Sequence, residues 1–181
     1  MTSALKNILE TLIFISIEPL PFEKIRTLLT DFTSEDIQKN LDDLIQEYAQ
    51  KNKGIQIVQV AGGYMFSTKI EYDPWIRQLL HVDRKNRLSI AAMETLSTVA
   101  YHQPLTLAEI SAFRGVDSSH SLKTLLQKRL VKIIGRKKTP GKPLIYRTSN
   151  RFLSYFGLES LKDLPSQDEI SKILEDKQDA E

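Results

Sequence analysis

The 181-residue chain is 41% hydrophobic and 27% charged, which is typical of a globular protein, and it contains no cysteine. The absence of cysteine excludes a disulfide framework, a thiolate nucleophile and a Cys-ligated zinc or iron–sulfur site. The longest apolar run, residues 12–17, is far shorter than the roughly 20 residues that cross a bilayer, and the N-terminus lacks a signal-peptide cleavage site, so we expect a cytoplasmic protein without membrane contact.

Charge is distributed unevenly along the chain, although the net charge is only +2. Residues 1–81 hold 8 Lys/Arg against 11 Asp/Glu, residues 82–158 hold 14 against 4, and residues 159–181 hold 3 against 8. The successive net charges are therefore −3, +10 and −5. Such blocks indicate separately folded parts with different surfaces, and the basic block raises the hypothesis of nucleic-acid binding.

The first predicted element is an amphipathic helix near the N-terminus. Ser3 is placed to cap its start, and Pro19 forbids its continuation. Its apolar residues recur at the i, i+3, i+4 and i+7 spacing of one helix face: Leu5, Ile8, Leu9, Leu12 and Ile13.

Two further helices and a hairpin follow. We predict a short helix over residues 22–29 and a third helix that Ser34 caps and Gly54 ends. The third helix carries an apolar stripe of its own, and the β-rich segments after it, residues 55–60 and 64–68, flank a Gly62-Gly63 pair that permits the positive φ of a tight turn. The predicted stripe is Ile37, Leu41, Leu44, Ile45 and Tyr48.

The same order of elements then repeats, after a connecting helix over residues 73–80. Ser89 and Thr106 cap two helices, Gly115 makes a turn, and Ser118 opens a third helix. Two strands, residues 131–134 and 144–148, are joined by a long basic loop over residues 135–143.

Three helices followed by a hairpin are the element order of a winged helix-turn-helix. We therefore predict a mainly helical α+β chain of two tandem winged helix-turn-helix domains. The predicted boundaries are a first domain over residues 1–81, a linker over 82–87, a second domain over 88–164 and an acidic, flexible tail over 165–181. Domains of this size are marginal alone and gain from packing on a partner.

The first helix is apolar on more than the one face that a surface helix needs. This excess predicts a second contact, most simply with another copy of the chain. The candidate dimerisation residues are Leu12, Phe14, Ile15 and Ile17.

No catalytic constellation is found in the sequence. The glycines of residues 135–143 are one residue too far apart for a phosphate-binding loop. Residues 117–121 contain Asp, Ser and His, but neighbours on one helix diverge by about 100° each and cannot converge on one reacting atom. The histidines His81, His102 and His120 have no metal-ligand spacing. We predict neither an enzyme nor a metal or cofactor site.

DNA binding by a transcriptional regulator is the alternative function. The wing cations placed to contact phosphates are Arg136, Lys137, Lys138 and Lys142. The third helix of the first half instead presents carboxylates that phosphates would repel, and that of the second half begins with Ser119-His120-Ser121. We therefore expect at most weak, unselective contact with the DNA backbone, and a simply solvated wing is an equal alternative.

Residues 88–165 also carry a consistent series of short segments: Ala92-Met93-Glu94-Thr95-Leu96, Tyr101-His102-Gln103-Pro104-Leu105-Thr106, Arg114-Gly115-Val116-Asp117-Ser118, Pro140-Gly141-Lys142-Pro143, Phe156-Gly157-Leu158 and Leu164-Pro165. In these segments the chain resembles the C-terminal domain of the bacterial segregation and condensation protein ScpB family. Phe113 and Lys142 stand where the family usually has Ile and Arg. Residues 1–87 match in architecture and length, with weaker agreement of residues.

The resemblance implies a non-enzymatic adaptor of chromosome condensation and segregation, associated with the nucleoid. Such a protein would form a homodimer through its N-terminal domain, bind the kleisin subunit ScpA and join the Smc ATPase, which would itself hydrolyse ATP. The implied kleisin-binding or motif residues are Arg114, Gly115, Val116, Arg136, Pro140, Gly141, Lys142 and Pro143. For residues 114–116, a plain turn between two helices is an equal alternative.

Overall fold

A computed structural model describes residues 2–80, 88–166 and 168–172. The predicted linker over 82–87, His81 and the end of the predicted tail, residues 173–181, lie outside the described residues. The first half contains α1 (Thr2–Ile15), α2 (Phe22–Leu28), α3 (Ser34–Ala49), β1 (Ile55–Val60), β2 (Gly63–Thr68), a 3-10 turn (Ile70–Tyr72) and α4 (Asp73–Leu79). The second half contains α5 (Ile90–His102), β3 (Leu105–Thr106), α6 (Leu107–Arg114), α7 (Ser119–Gln127), β4 (Val131–Arg136), β5 (Leu144–Thr148), α8 (Asn150–Phe156) and a 3-10 turn (Leu161–Asp163).

The first hydrophobic core forms between α1, α3 and the β1–β2 hairpin. Side chains four residues apart on α1 all point to this core, and they meet the predicted stripe of α3. Ile45 and Tyr48 of that stripe are half-buried at its margin. The fully enclosed members are Leu5, Leu9, Ile13, Ile25, Ile37, Leu41 and Leu44.

Three local predictions in the first half are wrong by a few residues. Thr33, not Ser34, caps α3, since its hydroxyl accepts from the Asp36 N–H at 3.1 Å. The helix ends at Ala49, where the backbone of Gln50 becomes extended, so Gly54 does not end it. Likewise α1 begins at Thr2, one residue before the predicted cap.

The hairpin turn is shifted by one residue from the predicted Gly62-Gly63 pair. Val60 pairs with Gly63, which leaves Ala61 and Gly62 as the two turn residues, with φ values of 52° and 74°. Two positive φ values in a two-residue loop define the turn type that matches the right-handed twist of paired strands. Gly63 lies in β2 and is required for a different reason, the close approach of the backbone at Pro19 and Leu20.

The second core joins α5, α6, α7 and α8 to a three-stranded antiparallel sheet of order β3-β5-β4. Ser89 and Thr106 cap α5 and α6 as predicted, and Gly115 ends α6 with φ +70°. Ser118 precedes α7, but its hydroxyl makes no capping hydrogen bond. Neither β3 nor α8 was predicted from the sequence. The enclosed members are Leu96, Val99, Ile110, Leu125 and Leu130.

A small contact links the two halves. The N–H of Ala61, in the hairpin turn, donates to the carbonyl of Leu158 at 2.8 Å, and the Gln59 amide donates to Glu159 at 2.6 Å. Within the part of the chain that the structure describes, no helix is long and apolar enough to cross a bilayer. Residues 168–172 are helical, after Ser166 and Glu169 form a reciprocal cap.

Candidate protein-interaction surfaces

The end of α1 carries the most exposed apolar group of the first half. Phe14 and Ile15 are each 73% exposed and Ile17 is 95% exposed. Leu12 differs from the other three candidate residues, because it is half-buried against the first core. The ring of Phe14 meets Phe66 edge-on at 6.1 Å, which holds it against the hairpin. We call Phe14, Ile15 and Ile17 the α1 surface, and its role in dimerisation stays a prediction.

Arg114 is committed to contacts within the chain. Its side chain is 8% exposed, and one guanidinium nitrogen lies 2.6 Å from a carboxylate oxygen of Glu94 on α5. A second guanidinium nitrogen donates to the buried Ser118 hydroxyl at 3.2 Å. Arg114 therefore joins α5 to the turn before α7, and Gly115 supplies that turn with its left-handed backbone.

Val116, in the same turn, remains available to a partner. It is 55% exposed, and nearby Phe113 is 59% exposed with its ring stacked on His102 at 4.4 Å. A stacked ring loses little conformational freedom when a partner covers it, which favours binding. We call Phe113 and Val116 the α6–α7 surface. Of the two, only Val116 was among the candidate site residues.

The wing is a closed loop whose cations are not all free. The Arg136 guanidinium donates to the Lys142 carbonyl at 3.1 Å, and the Lys137 N–H donates to the Pro143 carbonyl at 2.8 Å. Gly141 and Lys142 both have positive φ, which folds residues 136–142 around a shallow open depression. The structure thus brings the predicted wing residues together, with Pro140 at their exposed tip.

Lys137 forms an ion pair with Glu109 of α6. Its ammonium lies 2.6 Å from one carboxylate oxygen of Glu109, while the other oxygen accepts from the N–H and hydroxyl of Thr106. The bond from Lys137 and those from Thr106 lower the pKa of Glu109 from 4.5 to about 2. Glu109 therefore caps α6 and anchors the wing to it.

A depressed carboxyl pKa makes stability depend on acidity. The stabilisation from Glu109 is present above its ordinary pKa of 4.5 and is lost as pH falls toward about 2. We expect Glu109→Gln to melt below the parent chain at neutral pH and the gap to close progressively between these two values. Thermal melting across this pH range checks the prediction, with Lys138→Ala as the control that keeps the parent's pH profile. A gap that does not change with pH would contradict it.

The Asp, Ser and His residues of 117–121 make only local contacts. Asp117 accepts from the N–H and hydroxyl of Ser119, and these bonds lower its pKa. This is the arrangement of a helix start, and it leaves Asp117 in a capping role. In the described ranges no three His, Cys, Asp or Glu residues are grouped as metal ligands.

Comparison with known proteins identifies the family. Residues 7–167 match the model of the family described as segregation and condensation complex subunit ScpB. The chain belongs to this family. It is 43% identical to segregation and condensation protein B of Syntrophotalea carbinolica over 172 residues, 95% of this chain and 86% of that protein. It is 42% identical to the Clostridium tetani protein of the same name over 164 residues, 91% of this chain and 86% of that protein.

Solved structures of relatives were also found. ScpB from Mycobacterium tuberculosis is 28% identical with a TM-score of 0.42, and the match covers 87% of this chain and 98% of that one. A dimer of the ScpB N-terminal domain complexed with ScpA peptide is 27% identical with a TM-score of 0.40, over 42% of this chain and 95% of that one. The family match confirms the resemblance to the ScpB family, and the elements of the chain confirm a mixed, mainly helical fold.

Three structural features were not predicted from the sequence. Phe113, which the sequence did not single out as a site residue, is exposed with its ring stacked on His102. The pairing of Lys137 with Glu109 and the contact between the hairpin turn and Leu158 join residues far apart in the chain. The hydrophobicity pattern gave no signal for either pairing, because neither lies within one element.

Proposed function

We propose that this chain is the non-enzymatic ScpB subunit of a bacterial Smc–kleisin complex, acting in chromosome condensation and segregation at the nucleoid. In this function it dimerises through the α1 surface and binds the kleisin ScpA, and ATP hydrolysis belongs to Smc. The observation that carries the proposal is the exposure of Phe14, Ile15 and Ile17 on a chain of the ScpB family. Large apolar side chains grouped on a surface mark protein contacts.

The two hydrophobic cores support an arrangement of two winged-helix domains. The order α1-α2-α3 followed by β1-β2 recurs as α5-α6-α7 followed by β4-β5, with β3 added to the second sheet. We propose that the first unit, residues 1–81, dimerises and that the second, residues 88–164, contacts the kleisin. The α6–α7 surface and the rigid wing tip at Pro140 supply its anchors, while wing charges steer the encounter.

The charges on the helices favour a protein partner over a base sequence. In a DNA-reading winged helix the third helix must present donors to the major groove. Here α3 turns Glu35, Asp42 and Asp43 to solvent, and Lys137 of the wing is paired with Glu109. The acidic surface of α3 therefore disfavours base reading by the first half, and the ion pair removes one phosphate contact from the wing of the second half.

Size-exclusion chromatography with light scattering tests this function. We expect the chain alone to have about twice its 20.7 kDa mass, because a second copy covers the α1 surface. Added central segment of ScpA should elute with it as one complex. A monomer at micromolar concentration would contradict the dimer, and failure of a well-folded ScpA to bind would contradict the adaptor role.

A further inference from the structure

A second exposed apolar group lies on and around α4. Ile70 is 87% exposed, Trp75 64%, Leu79 77% and Leu80 64%. None of the seven residues of α4 is buried. Trp75 and Leu79 are four residues apart and so share one face of α4, and exposed apolar side chains grouped in this way mark an interaction site.

Aromatic side chains connect this patch to the α1 surface. Phe14 meets Phe66 at 6.1 Å, and Phe66 meets Tyr48 of α3 edge-on at 4.9 Å. The ring of Tyr72 lies over Gly54, 3.9 Å from the position of a Cβ there, and packs against Trp75 at 6.2 Å.

Lys53 bridges the two ends of this path. Its ammonium lies 5.0 Å from the centre of the Tyr48 ring, and the next residue in the chain is the Gly54 that Tyr72 covers. Two groups of half-exposed and exposed rings, Phe14–Phe66–Tyr48 and Tyr72–Trp75, are therefore joined through Lys53 and Gly54 between α1 and α4. We call these two groups, from Phe14 to Trp75, the aromatic ribbon.

Some charges beside the ribbon are neutralised in pairs, whereas the carboxylates of Glu10 and Glu71 accept hydrogen bonds from the Tyr48 and Tyr72 hydroxyls. Glu47 lies 2.6 Å from Lys6 and 3.9 Å from Lys53, and Arg77 is paired with Asp73 on α4. Burying a lone charge is costly, whereas a charge that keeps its partner is much less costly to cover. A partner can therefore cover the ribbon while the ion pairs of Glu47 and Arg77 stay intact.

The α1 surface alone is small for a stable dimer. A standard protein interface buries about 800 Å² on each partner and involves roughly 20–30 residues a side. The α1 surface consists of three side chains, and the ribbon extends it towards α4. A two-fold dimer uses the same patch on both copies, so an extended surface on one chain is available on the other.

We propose that the dimer surface continues along the aromatic ribbon onto α4, where a second copy of this chain buries Trp75 and Leu79. The inference rests on the proposed dimerisation through the α1 surface. It deepens that function by identifying the residues that complete the interface.

Trp75 is the only tryptophan of the chain, so its fluorescence reports on α4 alone. We expect its emission to shift to longer wavelength when the dimer is diluted apart and in the monomeric variant Phe14→Glu. We also expect Trp75→Ala to raise the dimer dissociation constant roughly 30-fold, as truncation of a central aromatic anchor does. Ile90→Ala is the control, because Ile90 is 80% exposed in the second half and should leave the constant unchanged.

The outcomes separate this inference from the proposed function. A dimer whose tryptophan emission does not change on dilution, and whose dissociation constant Trp75→Ala does not change, would overturn the inference and leave dimerisation standing. A chain that is monomeric at every concentration would overturn both. Emission that shifts only when ScpA is added would overturn the inference too, since the kleisin would then be the occupant of α4. Circular dichroism verifies that each variant is folded.

Discussion

Gly63→Ala is expected to lower the free energy of unfolding of the first core by about 1–3 kcal/mol, the usual cost of forcing an atom into a filled site. A Cβ at Gly63 would lie 2.8 Å from the carbonyl carbons of Pro19 and Leu20. These are backbone atoms, and Leu20 and Tyr64 hold them in place by exchanging two hydrogen bonds of 2.8 and 3.0 Å. The clash therefore breaks this bridge and exposes two buried side chains.

Differential scanning calorimetry of the full chain measures this effect. Each kcal/mol lowers the melting temperature by about 4–8 °C in a domain of this size. The matched control is Gly54→Ala, since the new methyl group would make an ordinary contact with Tyr72 at 3.9 Å. Equal melting temperatures for the two variants would contradict the prediction.

Helix boundaries in the second half were predictable because their causes are local. Thr106 and Glu109 are three residues apart and form the reciprocal cap that their spacing indicates. Gly115 occupies the left-handed position that ends α6. Such contacts involve residues within a single turn, and a sequence displays them directly.

The hairpin turn shows where local reasoning fails. Gly62-Gly63 is a sound turn signal, but the need for Gly63 arises from a loop more than forty residues earlier in the chain. The left-handed residue beside Gly62 is Ala61, whose conformation has no signature in composition. Gly63 is therefore needed in β2, where its backbone approaches Pro19 and Leu20, and not in the turn itself.

The candidate surfaces were predictable only where the residues of one short segment determine them. Helical periodicity placed Leu5, Leu9 and Ile13 in the buried stripe of α1, although Ile8 of the predicted stripe is exposed. The excess of apolar residues near the end of this helix indicated the exposed Phe14, Ile15 and Ile17. The state of Arg114 depends on Glu94, twenty residues away on another helix. Its role as an internal tie therefore could not be distinguished from a partner contact before the fold was known.

Arg114→Ala and Val116→Glu should separate stability from binding. Removing the buried guanidinium breaks its bonds to Glu94 and Ser118, and we expect a loss of about 1–3 kcal/mol in the free energy of unfolding of the second core. Val116 is 55% exposed, so the introduced carboxylate stays hydrated in the free chain and the melting temperature should not change. In the complex with ScpA that carboxylate would be buried without a partner, which predicts a large loss of affinity.

Calorimetry and ScpA titration on the same two variants check this separation. Below its melting temperature Arg114→Ala should still bind ScpA with nearly the parent affinity, because the side chain is 8% exposed and has little surface to offer a partner. Arg114→Lys is the control that keeps the charge beside Glu94 but lacks the planar guanidinium, whose two nitrogens reach Glu94 and Ser118. Its stability should fall between that of the parent and that of Arg114→Ala. If Arg114→Ala instead kept the parent's melting temperature and lost ScpA binding, the arginine would be a kleisin contact and its internal ion pair would open on binding.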